Sequence, residues 1–213
     1  MRALLAIKQL KKDQKDAGNS VMAHMDETHV KIWDLPVRLF HWALVICFGL
    51  TYLAAEVHLL NFHVWLGYVL LALLVFRLFW GFAGNSYARF KSFLFSPQET
   101  MIYVRSMRNG PVPHYYGHNP AGALMVFSLL ALLMSIFMLG FLTLGVVDYE
   151  GPLLFLANRL GDNTAYFFRH AHVWLVNAAL VLIPLHLLGV IVGSIQHHEN
   201  LVRAMVTGMK RKV

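Results

Sequence analysis

Four apolar runs, each long enough to cross a membrane, dominate this sequence. A helix rises about 1.5 Å per residue, so roughly 20 apolar residues cross the hydrocarbon core of a bilayer. The composition agrees, because 58% of the residues are hydrophobic and 14% are charged, against about a quarter charged in soluble domains. We therefore predict an all-α integral membrane four-helix bundle. The runs extend from about Leu35 to Val57, Phe62 to Phe82, Pro120 to Val147, and Arg169 to Ile195.

The lysine and arginine residues predict how the bundle is oriented. Most of them lie in the N-terminal segment, in the connection after the second run and in the C-terminal segment, whereas the link from His58 to Asn61 has none. Positively charged loops remain in the cytoplasm, so both termini are predicted to be cytoplasmic. The net charge of +7 is interpreted as this topology signal, because the basic residues do not form the stripe typical of nucleic-acid binding. The predicted segments are a tail at 1–33, a transmembrane domain at 34–200 and a basic tail at 201–213.

Local signals refine this outline. Asp34 is suited to cap the first helix and Pro36 to occupy its first turn. In the long connection, Ser96, followed by Pro97 and Glu99, predicts the start of a short surface helix. Cys47 is the only cysteine, which excludes an internal disulfide, a cysteine-rich metal site and a covalently attached c-type haem.

Four histidines lie inside the apolar runs, namely His41, His63, His172 and His186. Ionisable groups in a membrane are costly and usually mark function. His172 and His186 are 14 residues apart, which places them on nearly the same face of one helix, about 21 Å apart along its axis. Because the helices alternate in direction, His41 matches His186 in depth near the inner surface, and His63 matches His172 near the outer surface.

Two imidazoles that face each other at one depth can hold a haem iron from both axial sides. The alternative is that each histidine only forms hydrogen bonds between helices. Arg38 and Arg77 are candidates to pair with haem propionates, or they are cations that extend to the membrane surface. Gly49, Gly67 and Gly189 leave room for a macrocycle, or allow ordinary close packing of helices.

The other histidines are expected to have no role as ligands. His170 is 16 residues from His186, on nearly the opposite face of the helix, and His58 lies in a short link. The histidines of the polar segments are expected to be solvated: His24, His29, His114, His197 and His198.

Several segments resemble one known family. The run from Trp33 to Trp42, WDLPVRLFHW, resembles the first helix of bacterial cytochrome b561 and of the b-type cytochrome subunit of nickel-iron hydrogenases. The second helix of that family is similar to HVWLGY at 63–68, followed by FRLFWG at 76–81. The start of its third helix is similar to GHNPAG at 117–122. The two fourth-helix histidines with their 14-residue spacing are also typical of the family.

The resemblance implies a diheme cytochrome b of the bacterial inner membrane. It implies that His41 and His186 bind the inner haem b, and that His63 and His172 bind the outer one. Such a protein carries electrons in a respiratory chain between membrane quinone and a partner, which is a periplasmic redox enzyme or a c-type cytochrome. It would thus be the electron-transfer subunit of an oxidoreductase complex. His118 would contact a quinone or a propionate, or cap the third helix.

Two other functions remain open on the sequence. One is a self-contained quinone-linked oxidoreductase, although the loop at 148–168 does not resemble a substrate pocket. The other is a histidine-lined transporter with no redox role. The histidine pairs are too far apart to bind one zinc ion together, since structural zinc needs four adjacent ligands. The aromatic surface of the predicted bundle also allows a homodimer.

Overall fold

The computed structural model describes residues 12, 14–15, 29–109 and 111–212. Most of the predicted N-terminal tail, with His24, lies outside them. In this part of the chain the longer helices are α1 (Leu35–Glu56), α2 (Leu60–Ala83), α3 (Pro97–Asn109), α4 (Pro120–Val146), α5 (Asp162–Gln196) and α6 (Leu201–Thr207). Two short 3₁₀ helices cover Phe90–Phe93 and Leu154–Arg159, and two strands cover β1 (His29–Lys31) and β2 (Met209–Arg211).

The four-helix membrane bundle is confirmed. Helices α1, α2, α4 and α5 are each long and apolar enough to cross a bilayer. As predicted, the Asp34 carboxylate caps α1 by accepting the Val37 N–H at 2.9 Å, and a proline occupies the first turn. Helix α5 begins at Asp162, seven residues before the predicted start. Its 35 residues amount to about 52 Å, so its polar first turns extend beyond the hydrocarbon core. The prediction missed these turns because it was based on continuous apolar residues.

The spanning helices pack as two hairpins. Helix α1 packs along α2, α4 packs along α5, and the hairpins meet where α2 contacts α4. The core between them is built from Leu70, Leu74, Leu133 and Phe137, with Cys47 partly buried against it. Helix α5 contributes little to this core, and its large apolar side chains are mostly exposed. Within the described part of the chain, α5 therefore packs closely on only one other spanning helix, α4.

Both ends of the described chain meet at one end of the bundle. Strand β1 pairs antiparallel with β2, with Val30 opposite Lys210. The N–H groups of Ile32 and Trp33 both donate to the Gly208 carbonyl, at 2.8 and 3.1 Å. We call this end, where α1 and α4 begin and α2 and α5 finish, the basic end. Segment 201–211, predicted as part of a basic tail, folds here as α6 and β2, and we call it the C-terminal strap.

A buried ionic cluster fastens the strap. The Glu199 carboxylate accepts a hydrogen bond from His114 Nε2 at 3.0 Å and lies 3.2 Å from Lys210 Nζ. The Lys210 and Glu199 side chains are only 6% and 8% exposed. Burial raises the pKa of Glu199, but the hydrogen bond from His114 and the charge of Lys210 outweigh it and lower that pKa. His114 is therefore a partner of the strap and not the solvated side chain that we expected.

The predicted surface helix in the long connection is also present. The Glu99 N–H donates to Ser96 Oγ at 3.2 Å, and the Ser96 N–H donates to the Glu99 carboxylate at 2.6 Å. This reciprocal capping box starts α3, and its hydrogen bonds lower the pKa of Glu99. Tyr103 anchors the helix, being 3% exposed. Helix α3 therefore lies along the basic end of the bundle.

Candidate haem-binding site

His63 and His172 face each other at the end of the bundle opposite to the basic end. His63 lies in the first turn of α2, and His172 lies in the α5 segment that packs on α4. Their ring centroids are 6.3 Å apart and the ring planes are inclined at 83°. Two imidazoles bound to opposite sides of one metal ion, with metal–nitrogen bonds of about 2.0 Å, also have centroids about 6 Å apart. The spacing of this pair therefore fits one iron between the rings.

Backbone carbonyls fix the orientation of both rings. His63 Nδ1 lies 2.9 Å from the Thr51 carbonyl oxygen, and His172 Nδ1 lies 2.9 Å from that of Ile136. A carbonyl can only accept a hydrogen bond, so Nδ1 carries the proton in each neutral ring. Nε2 then presents its lone pair. Histidines that bind a metal ion are held in this way by a partner at the other ring nitrogen.

Gly140 makes the contact between His172 and Ile136 possible. It lies four residues after Ile136, one turn along the same face of α4. A Cβ at this position would lie 3.2 Å from His172 Cε1 and 3.4 Å from Nδ1, closer than ordinary van der Waals contact. Because Gly140 has no side chain, the His172 imidazole can approach the Ile136 carbonyl, although this carbonyl is part of helix α4. The sequence analysis assigned no role to Gly140. A glycine in the third apolar run, at about the depth of the outer histidine pair, was the sequence feature that could have indicated close contact with a histidine.

His41 and His186 form the second group, nearer the basic end. They lie on α1 and α5 and are close enough to interact electrostatically. His41 Nδ1 is buried and has no hydrogen-bond partner among the described residues. Ring contact thus places His63 beside His172, and His186 interacts electrostatically with both His41 and His118. The use of these histidines as ligand pairs stays a prediction. His170 is exposed on α5, as its position around the helix indicated.

Two further side chains with unpaired buried nitrogens lie near this second group. Arg77 is 4% exposed, its guanidinium lies 4.8 Å from the centre of the Phe90 ring, and its Nη1 has no partner in the described chain. His118 packs on Phe93 and Trp33 at centroid distances of 4.3 and 4.7 Å, and its Nδ1 likewise has no partner there. Burial, together with the charge of Arg77, lowers the pKa of His118 to about 3.

His118 does not cap α4. That role belongs to Asn119, whose side-chain oxygen accepts the Gly122 N–H at 2.7 Å. The imidazole is left for the interior of the basic end, near His186 and Arg77, with which it interacts electrostatically. Of the two roles considered for His118, the cap is therefore taken by its neighbour, and a contact of His118 to a bound group stays a prediction.

Arg38 lies one turn before His41 and contacts the C-terminal strap. Its guanidinium donates to the Val206 carbonyl, and its Nε is buried without a partner among the described residues. A Cβ on Gly208 would lie 3.2 Å from this Nε. Arg38 thus joins the strap to the helix that carries His41.

Three glycines on the spanning helices border open space. An ideal Cβ on Gly49, Gly67 or Gly189 would meet no atom within 4 Å, so these three positions border open space. Within the described chain no cluster of three or more histidine, cysteine or carboxylate side chains could hold a metal ion. The donor set is instead two imidazole pairs, with Arg38 and Arg77 nearby, each of which has one buried nitrogen without a hydrogen-bond partner in the described chain. Such a set suits b-type haem, whose iron takes two axial imidazoles and whose propionates need cationic partners.

A membrane-spanning four-helix bundle with facing imidazoles defines the class of membrane haem cytochromes. The chain matches the family of prokaryotic cytochrome b561 over residues 32–208 and belongs to that family. Its members transfer electrons across the membrane through b-type haem, generally held by histidine. No curated protein and no solved structure matches the chain significantly. The protein is accordingly a multi-pass membrane cytochrome.

Proposed function

We propose that the chain binds two b haems and passes electrons between them, from one side of the membrane towards the other. His41 and His186 would hold the inner haem, and His63 and His172 the outer haem. The observation that carries this proposal is the outer pair, with centroids 6.3 Å apart and both Nδ1 atoms directed at carbonyls. The bonds to these carbonyls, which join neighbouring helices, use one nitrogen of each ring, so Nε2 of each ring would be left to bind iron.

The protein supplies position and electrostatics for this transfer. Each haem provides an iron that cycles by one electron, and the chain determines where it is held. His172 and His186 are separated by about 21 Å along α5, so the two pairs divide the membrane crossing into shorter steps. Neutral imidazoles in the low-dielectric bundle keep their lone pairs available, and the carbonyls of Thr51 and Ile136 hold the outer rings in place.

Arg77, near the inner pair, is a proposed partner of a haem propionate. Its Nη1 is buried without a hydrogen-bond partner in the described chain, so a propionate oxygen would accept a hydrogen bond there. The buried Nδ1 of His118 likewise has no partner in the described chain, and this neutral imidazole would form a hydrogen bond to a propionate or a quinone. Arg38 would contribute its Nε while it remains bonded to the strap.

The charge distribution supports a proposed orientation of the protein in the membrane. Exposed cations such as Arg89, Lys91 and Arg105 lie at the basic end, whereas Glu56 and Glu150 lie at the opposite one. We place the basic end in the cytoplasm of a bacterium, following the positive-inside rule. The outer haem then lies near the periplasm, where it would exchange electrons with a redox enzyme or a c-type cytochrome. Membrane quinone would be the other reactant, so the protein would act as an electron-transfer subunit of a respiratory chain.

Histidine variants test the assignment of the two haems. His41→Ala and His63→Ala should each remove one haem per chain, and the haem that remains should differ in reduction potential between the two variants. His170→Ala is the matched control, because it removes an exposed histidine from the same bundle and should retain both haems. If one variant lost both haems while the protein stayed folded and the other lost none, the proposed pairing would be wrong.

A further inference from the structure

Two adjoining cavities lie where α5 meets the C-terminal strap, away from the haem ligands. The first, which we call the apolar groove, has a volume of about 380 Å³. Its apolar lining consists of Val190, Ile191, Ile195 and Val202. The second, which we call the basic pocket, has a volume of about 230 Å³ and includes Arg203, Lys210 and Arg211. Both cavities are bordered by His198, Glu199 and Asn200.

The apolar groove faces outward from the bundle. Ile191 and Ile195 are five and nine residues after His186, which corresponds to about 140° and 180° around the helix. They are 56% and 67% exposed. In a membrane-spanning helix such a face contacts lipid. The groove is therefore separate from the side of α5 that carries the histidine pairs.

The basic pocket carries an uncompensated positive charge. Lys210 and Glu199 neutralise each other in their buried ion pair. Arg203 and Arg211 are exposed, and neither has an ion-pair partner among the described residues. Two exposed guanidinium groups thus line the basic pocket, which adjoins the groove. Guanidinium binds phosphate oxygens with bidentate geometry, and basic pockets beside membrane helices bind anionic headgroups.

We propose that the groove and the pocket together bind one anionic phospholipid. Its headgroup phosphate would contact Arg203 and Arg211, and its acyl chains would lie along Ile191 and Ile195. The arrangement matches such a lipid in both parts, because the apolar face runs along the helix and the cations lie at its end. The acyl chains of a zwitterionic lipid would fill the apolar groove equally well. Its headgroup has no net negative charge, so it would be attracted less strongly to Arg203 and Arg211. The proposed lipid site includes none of the proposed haem ligands. A failure of the lipid proposal would therefore leave the proposed electron transfer unaffected, and the reverse also holds.

The test uses the full-length protein, purified with its haem and stripped of lipid in detergent. Phosphatidylglycerol, phosphatidylcholine and inorganic phosphate are titrated separately, with retained lipid measured by native mass spectrometry and stability by thermal unfolding. We expect phosphatidylglycerol to bind and to raise the melting temperature more than phosphatidylcholine does. In Arg203→Gln and Arg211→Gln the affinity for phosphatidylglycerol should fall about fivefold per arginine, from a contribution of about 1 kcal/mol for each cation near a charged lipid surface.

Matched variants separate this site from general attraction to anionic lipid. Arg89→Gln and Lys91→Gln remove exposed cations at the same end that do not line the pocket, and they should leave the affinity within twofold. Ile191→Ser with Ile195→Ser should weaken lipid binding but leave the haem spectrum unchanged. Equal affinity for the two lipids, or equal losses in the control variants, would overturn the proposal. Inorganic phosphate binding as tightly as the lipid would also overturn it and would indicate a pocket for free phosphate.

Discussion

Gly140→Ala is expected to weaken the outer haem site although it replaces neither of the proposed ligands, His63 and His172. The added Cβ would lie 3.2 Å from His172 Cε1 and 3.4 Å from Nδ1, so the ring must shift by a few tenths of an ångström. That shift moves Nδ1 away from the Ile136 carbonyl, to which it is bonded at 2.9 Å. The hydrogen bond that orients the ring is then lengthened or lost.

The size of the effect follows from the role of such partners. Removing the hydrogen-bond partner of a metal-binding histidine typically costs about 10–100-fold in affinity. Because an alanine displaces the ring of His172 and does not remove its partner, we expect the lower limit, about tenfold, which corresponds to about 1.4 kcal/mol. The outer haem should also change its reduction potential and its low-spin electron paramagnetic resonance signal, since both depend on imidazole orientation. The inner haem should keep both properties.

The assay is haem retention during dilution in detergent, followed by optical spectra at graded potentials. Gly193→Ala is the control, because its Cβ would also lie 3.2 Å from a neighbour, the Leu201 Cδ1 methyl, but far from His172. It should retain both haems with wild-type potentials. If Gly140→Ala kept the outer haem within twofold of wild-type affinity and at an unchanged potential, the carbonyl would not be orienting His172.

Further predictions concern the basic end. Asp34→Ala removes the cap on the Val37 N–H and the acceptor of the Trp80 indole N–H, and should lower the free energy of unfolding by about 2 kcal/mol or more; an unchanged melting temperature would contradict both roles. Lys210→Met breaks a buried ion pair and should destabilise the strap by about 3 kcal/mol, seen as faster amide exchange in 201–211 and not elsewhere. The pKa of Glu199 is lowered from 4.5, so its contribution is present above pH 4.5 and is lost as the pH falls through the lowered pKa. The protection of the strap amides, corrected for the intrinsic pH dependence of exchange, should therefore fall on acidification, and Glu199→Gln should abolish that fall.

The spanning helices and the histidine pairing were predictable because simple geometry governs them. Hydrocarbon thickness sets the length of the apolar runs, and the angle per residue places His172 and His186 on one face. The same reasoning predicted that His170 is not a ligand, and His170 is exposed on α5. The largest difference between the predicted and observed spans is the start of α5, because the segment at 162–168 is helical without being continuously apolar.

The partners of the histidines were not predictable, because they are backbone atoms. Every residue has a carbonyl, so no side chain distinguishes Thr51 or Ile136 from its neighbours. The contacts depend on how α1 packs against α2 and how α4 packs against α5, which the sequence does not specify at this precision.

The strap was interpreted as a tail because its signals are short and nonlocal. Segment 201–211 is basic and brief, and its pairing with β1 joins residues about 180 positions apart in the chain. Burial of Lys210 depends on Glu199 and His114, which come together only in the folded protein. Composition alone therefore favoured a solvated cation.

The number of haems per chain tests the central claim most directly. The purified protein, produced with an ample haem supply, is assayed by the pyridine method and by spectra before and after reduction with dithionite. The account predicts two non-covalent b haems per chain with low-spin bands in both oxidation states. One haem per chain in the wild-type protein would show that one of the two histidine pairs is not a haem site, and none in a well-folded preparation would contradict the assignment of both.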